Sequence, residues 1–133
     1  MLQSNLVQQR VFVVGDGSLL DDGVTHMLTH RTDLLVSRAI YSDDFAFLNS
    51  IKSERPDVIL VCESGSLDTA RILDLVLAQV MAMAMAVRIV VVRLRDNMID
   101  VYARPAFVAG RMLSKPRQII AKTGDDLLKV FFD

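Results

Sequence analysis

The feature that most constrains this chain is an alternation of two periodicities. Four short runs rich in β-branched and leucine residues, Arg10–Val14, Asp33–Ile40, Val58–Val61 and Arg88–Leu94, are separated by segments whose apolar residues recur at helical spacing. A near-continuous apolar run is a strand buried on both faces, which is the habit of parallel sheets. Strand–helix–strand repetition with short connections then demands helices packed against both faces of one sheet. The pattern therefore predicts an α/β fold with a doubly wound parallel sheet that contains these four strands, and a fifth parallel strand is left to the residues beyond 95.

Local signals fill in the helices. Ser18 can cap a first helix whose apolar positions are Leu19, Leu20, Val24, Met27 and Leu28. Ser42-Asp43-Asp44 offers a cap for a second, with Phe45, Leu48 and Ile51 inward, and Pro56 stops it. Thr69–Ala86 reads as a third helix, rich in leucine, alanine and methionine. Beyond residue 95 two registers compete. In the favoured one, Asp96–Arg104 is a helix, Phe107–Leu113 the fifth strand and Arg117–Phe132 the last helix. In the other, Asp96-Asn97 turns a hairpin into a strand at Met98–Ala103, Pro105 opens a helix and Gln118–Lys122 is the final parallel strand. The last helix then starts at Thr123, with Asp126 completing a capping-box-like arrangement. Gly124 weighs against the first register, because glycine inside a helix costs about 1 kcal/mol relative to alanine.

Composition narrows the function classes. The 133 residues fit one domain: 1–9 an N-terminal extension, 10–94 a well-patterned core and 95–133 the ambiguous part. A net charge of −1 lacks the basic excess of a nucleic-acid-binding domain. The single cysteine, Cys62, excludes an intrachain disulfide, and with two histidines a closed zinc site is not expected. The opening residues have no apolar signal core, and Leu75–Val87 is too short for a membrane span of about 20 residues. A soluble, cytoplasmic protein without a cofactor is the expectation.

The segment Arg10-Val-Phe-Val-Val-Gly-Asp-Gly-Ser-Leu-Leu-Asp-Asp-Gly-Val-Thr-His-Met-Leu28 resembles the opening strand and helix of response-regulator receiver domains. Asp33-Leu-Leu-Val-Ser-Arg-Ala-Ile is similar to their second strand, and Glu54-Arg-Pro-Asp-Val-Ile-Leu-Val61 to the approach to the phosphoacceptor. Ser114-Lys115-Pro116 resembles their lysine-proline step. The resemblance implies a flavodoxin-like sheet in the order 2-1-3-4-5. It also implies a degenerate site. One acid of the metal-holding pair is Gly15, leaving Asp16, and the phosphoacceptor position falls at Cys62. The switch hydroxyl falls at Arg93 and its aromatic partner at Met112. Asp16 and Lys115 are the survivors. Phosphoryl transfer needs metal and positioned charge, and without an acceptor the resemblance implies a pseudo-receiver in two-component signalling.

Several residues admit a sharper reading. Asp16 with Lys115 is either a metal or phosphate remnant or an ion pair filling a former pocket. Cys62 is either a nucleophile whose thiol a nearby lysine activates or a small core residue. His26 and His30 lie four apart and could hold a metal with Asp22, but the helix's apolar stripe turns both to solvent. Gly15-Asp-Gly-Ser lacks the spacing of a nucleotide loop. Between Ala70 and Val87 only Arg71, Asp74 and Gln79 are strongly polar, and Met81, Met83 and Met85 cannot share one stripe. Such a methionine-rich surface suits a partner, unless Phe131-Phe132 covers it from within. The expectation is a non-enzymatic regulatory domain acting by protein–protein contact, as a homodimer, with no nucleic-acid or membrane partner. The alternatives are a small-ligand or anion sensor using the emptied pocket, and an enzyme built on Cys62.

Overall fold

The computed structural model describes residues 8–63, 68–83, 87–93, 97–102, 107–108, 111–112 and 117–132. Its strands are β1 (Gln9–Gly15), β2 (Leu34–Ile40), β3 (Val58–Glu63), β4 (Arg88–Arg93), β5 (Met98–Tyr102), β6 (Phe107–Val108), β7 (Arg111–Met112) and β8 (Arg117–Ile120). The helices are α1 (Leu19–Thr29), α2 (Asp44–Glu54), α3 (Thr69–Met83) and α4 (Gly124–Phe132). The main sheet has the order β2-β1-β3-β4-β5-β8, and β6 and β7 form a separate two-stranded ladder.

The doubly wound α/β class and the order 2-1-3-4-5 are present. β1 pairs in parallel with β2 and β3, and β3 in parallel with β4. Alternate residues of these strands feed two cores. Val11, Val13, Leu60 and Cys62 pack with Val24 and Leu28 of α1 and with Leu127, Val130 and Phe131 of α4. Phe12, Val14, Ile59 and Val61 pack on the other face with Phe47 and Ile51 of α2 and Ile72 and Val76 of α3. Burial on both faces is why these strands read as continuous apolar runs.

The C-terminal third corrects the favoured register. Asp96–Arg104 is not a helix: Met98–Tyr102 is a strand, antiparallel to β4. Asn97 takes the left-handed conformation with φ of 53°, which asparagine tolerates and a tight reversal needs. Phe107–Leu113 is not a continuous strand; Phe107 pairs with Met112 and Val108 with Arg111. Arg117–Phe132 is not one helix either. Arg117–Ile120 pairs antiparallel with β5, giving the sheet a sixth strand that runs in the same direction as β4. The expected five-stranded parallel sheet is thus a mixed one of six. Gly124 sits at the start of α4 rather than inside it, so its helix penalty is avoided. The Asp126 carboxylate there accepts from the Lys122 and Thr123 N–H groups at 2.7 and 3.0 Å, which holds its carboxyl below the usual carboxylate range.

Two inward assignments also change. Phe47, not Phe45, carries the aromatic core contact of α2; Phe45 is 76% exposed. Leu19 is 89% exposed, because the buried stripe of α1 follows Val24 and Leu28 with Leu20 packed against it. The side chains of Met81 and Met83, and all of Met85, lie outside the described residues, as do Lys115 and the step around it. No helix among the described residues is long and apolar enough to cross a membrane.

Candidate functional site

In open α/β sheets the chain reverses its winding at one point, and the carboxyl ends of the strands flanking that point form a crevice. Here the point lies between β1 and β3. β1 ends at Gly15, followed by Asp16, and β3 ends in Cys62 and Glu63.

The acidic corner is built around Asp21, a residue that the receiver-like motifs do not single out. Asp21, in the first turn of α1, is fully buried. A Cβ on Gly15 would lie 2.4 Å from the Asp21 Cγ and 2.6 Å from its Oδ2. The absent side chain of Gly15 is therefore the space that the Asp21 carboxylate occupies. Four donors hold it there. The Gly17 N–H donates at 3.3 Å, the Ser18 hydroxyl at 3.2 Å, and Arg38 Nε and Nη2 at 3.3 and 3.0 Å. Arg38 sits on β2 opposite Val13 of β1, so its side chain rises on the α1 face. It also donates Nη1 to Asp22 at 3.0 Å. Nε and Nη2 thus converge on one oxygen, Asp21 Oδ2, while Nη1 reaches a second carboxylate, so the planar guanidinium bridges the two aspartates. Ser18 is the N-terminal flanking residue of α1 as expected, but its hydroxyl serves Asp21 rather than a helix N–H.

Asp16 does a local job. Its Oδ1 accepts the Ser18 N–H at 3.0 Å, stabilising the turn in which Gly17 has φ of 86°. Lys115, its expected partner, lies outside the described residues. In the observed register the lysine that follows the last parallel-running strand is Lys122.

Cys62 is 1% exposed and belongs to the α1–α4 core. Burial pushes its thiol up to about 12, with the nearby Asp21 and Asp16 charges adding to the rise and Arg38 opposing it. A thiol so placed is protonated at neutral pH and is a poor nucleophile. Next along the sheet, Arg93 pairs with Asp100 of β5 (Nη1–Oδ2 3.3 Å), and Gln118 of β8 donates to the other Asp100 oxygen at 3.3 Å. Asp21 and Asp100 are the two buried charged residues among the described ones. Each is met by an arginine, as buried charges require. The sequence signals were present: an aspartate six positions after Gly15 at the end of a strand, and a polar residue between Ile99 and Val101. Met112, expected as the aromatic partner's replacement on a fifth parallel strand, lies instead in β7.

Beside the corner, between α1 and the β8–α4 connection, is an apolar cavity of about 530 Å³ lined by Leu20, Val24, Met27, Val92 and Leu127, with Lys122 contributing to its wall. No group of three or more metal-ligating side chains occurs among the described residues.

No protein-family model matches the chain, and no curated protein matches it in sequence. Among solved structures it is similar to the signal receiver domain of the response regulator NarL from Mycobacterium tuberculosis. The two share 26% sequence identity with a TM-score of 0.52, over 68% of this chain and 69% of that one. The fold is receiver-like, and that likeness suggests a signalling or regulatory role.

Proposed function

We propose that the chain is a pseudo-receiver: a regulatory domain that signals through protein–protein contact without accepting a phosphoryl group, and that works as a homodimer. The observation that carries this reading is the Asp21–Arg38 pair. In a receiver-type corner, a divalent cation would balance the carboxylates and bridge to phosphoryl oxygens. Here a tethered guanidinium already balances the buried carboxylate, and Cys62 stands where the acceptor carboxylate is required. Arg93, at the expected switch position, is tied to Asp100 rather than free to follow a phosphoryl group. Both features favour a site fixed in one state.

The competing readings are weaker on physical grounds. An anion sensor in the emptied pocket needs room around Gly15, and Asp21 fills that room. An enzyme using Cys62 needs a thiolate, which burial opposes. The homodimer rests on the apolar composition of α3 and the residues after it. Burying a methionine side chain contributes about 1.5–3 kcal/mol before association costs.

Incubation with acetyl phosphate and Mg²⁺, followed by intact-mass measurement, tests the first part. The unmodified mass is expected, and a phosphoryl adduct on Asp16 or Glu63 overturns it. Sedimentation at micromolar concentration tests the second, where a dimer is expected and a clean monomer refutes it.

A further inference from the structure

We propose that His26 and His30 form a surface site for a transition-metal dication, with Zn²⁺ the ion that their geometry fits. The two residues lie one turn apart at the C-terminal end of α1, both exposed, with rings at 90° and centroids 4.6 Å apart. Their Nε2 atoms approach to 3.2 Å. An ion about 2.0–2.1 Å from both nitrogens would subtend about 100° at that separation, near the tetrahedral angle zinc adopts.

As the pair stands, one Nε2–H donates to the other Nε2 lone pair. On binding, the donor ring takes its proton on Nδ1 instead, exchanging through solvent. Both Nε2 lone pairs then face the metal with no net proton release from neutral rings. Imidazole nitrogen is a preferred ligand for zinc, copper and nickel, and the carbonyl end of a helix favours a cation. The adjacent cation, Arg31, is engaged with Asp33 at 2.9 Å. Asp22, the third ligand the sequence spacing offers, is instead bonded to Arg38, so water completes the coordination. The buried Cys62 does not compete.

Titration of the full chain with zinc chloride by calorimetry tests this. One saturable site per chain is expected, with His26→Gln and His30→Gln each weakening it by on the order of tenfold or more through loss of chelation. Imidazole ¹⁵N spectra of the wild type provide a readout independent of any variant, in which both Nε2 resonances shift with zinc. Absence of zinc uptake, or uptake that survives the H26Q/H30Q double substitution or leaves the Nε2 resonances in place, overturns the proposal.

Discussion

Replacing Gly15 by alanine adds a single methyl group, yet the geometry makes it a severe change. The new Cβ would stand 2.4–2.6 Å from Cγ, Cβ and Oδ2 of a side chain with no exposed surface. Relief requires Asp21 to move away from Gly17, Ser18 and Arg38. Overpacking of a dense interior costs about 1–3 kcal/mol. Weakening the carboxylate's hydrogen bonds adds about 1 kcal/mol, because a net intramolecular bond contributes roughly that much. Gly15→Ala should therefore lower unfolding free energy by about 2–4 kcal/mol, read as a fall in the urea midpoint at constant slope. The cause is testable through a double-mutant cycle. Asp21→Ala leaves the offending Cβ in place, so the partner substitution is Asp21→Gly. In that background the cost of Gly15→Ala should largely vanish. A single Gly15→Ala substitution within about 0.5 kcal/mol of wild type, the range of an innocuous surface change, would refute the placement of the Asp21 carboxylate.

Cys62 should resist alkylation in the native protein at neutral pH and react on unfolding; rapid native labelling would contradict its burial. Because its folded pKa is raised from 9.0 to about 12, the unfolded chain loses its thiol proton first. Stability present below pH 9 should then fall towards pH 12, by at most about 1.4 kcal/mol per unit, and wild type minus Cys62→Ala isolates that slope. Arg38→Met should lower the melting temperature by leaving Asp21 buried without its cation, and adding Asp21→Asn should recover part of the loss. Met81→Glu or Met85→Glu should yield soluble monomer in sedimentation; a wild-type-like dimer would move the proposed interface away from residues 81–85.

The elements from β1 to β4 were legible because burial on both faces of β1, β3 and β4 removes polar interruptions, leaving an unambiguous pattern. Local chemistry agreed with it: Asp43 caps α2 by accepting the Ala46 N–H at 2.8 Å, and Arg55 closes that helix in the left-handed conformation. The C-terminal third was harder because its strands are short and lie towards the sheet edge. Met-Ile-Asp-Val-Tyr alternates, with Ile99 and Val101 facing the α1–α4 core, but its buried Asp100 reads as a surface residue until Arg93 is seen beside it. The resemblance singled out Gly15 and Cys62, and both lie at the carboxyl ends of β1 and β3. The Asp21–Arg38 contact beside them was not legible, since it joins residues 17 apart on two elements whose packing only the fold defines. Ring direction on α2, where Phe47 rather than Phe45 turns inward, was likewise set by helix phase and not by composition.

With Arg38 as the built-in cation of this corner, the proposed pseudo-receiver has no use for a metal there. In a Mg²⁺ titration followed by backbone amide and arginine Nε–H resonances, the Arg38 Nε–H signal should keep its hydrogen-bonded shift, with no saturable change at Gly15, Gly17, Ser18 or Cys62 up to millimolar Mg²⁺. Saturable shifts centred on those residues, with release of the Arg38 Nε–H from Asp21, would contradict it.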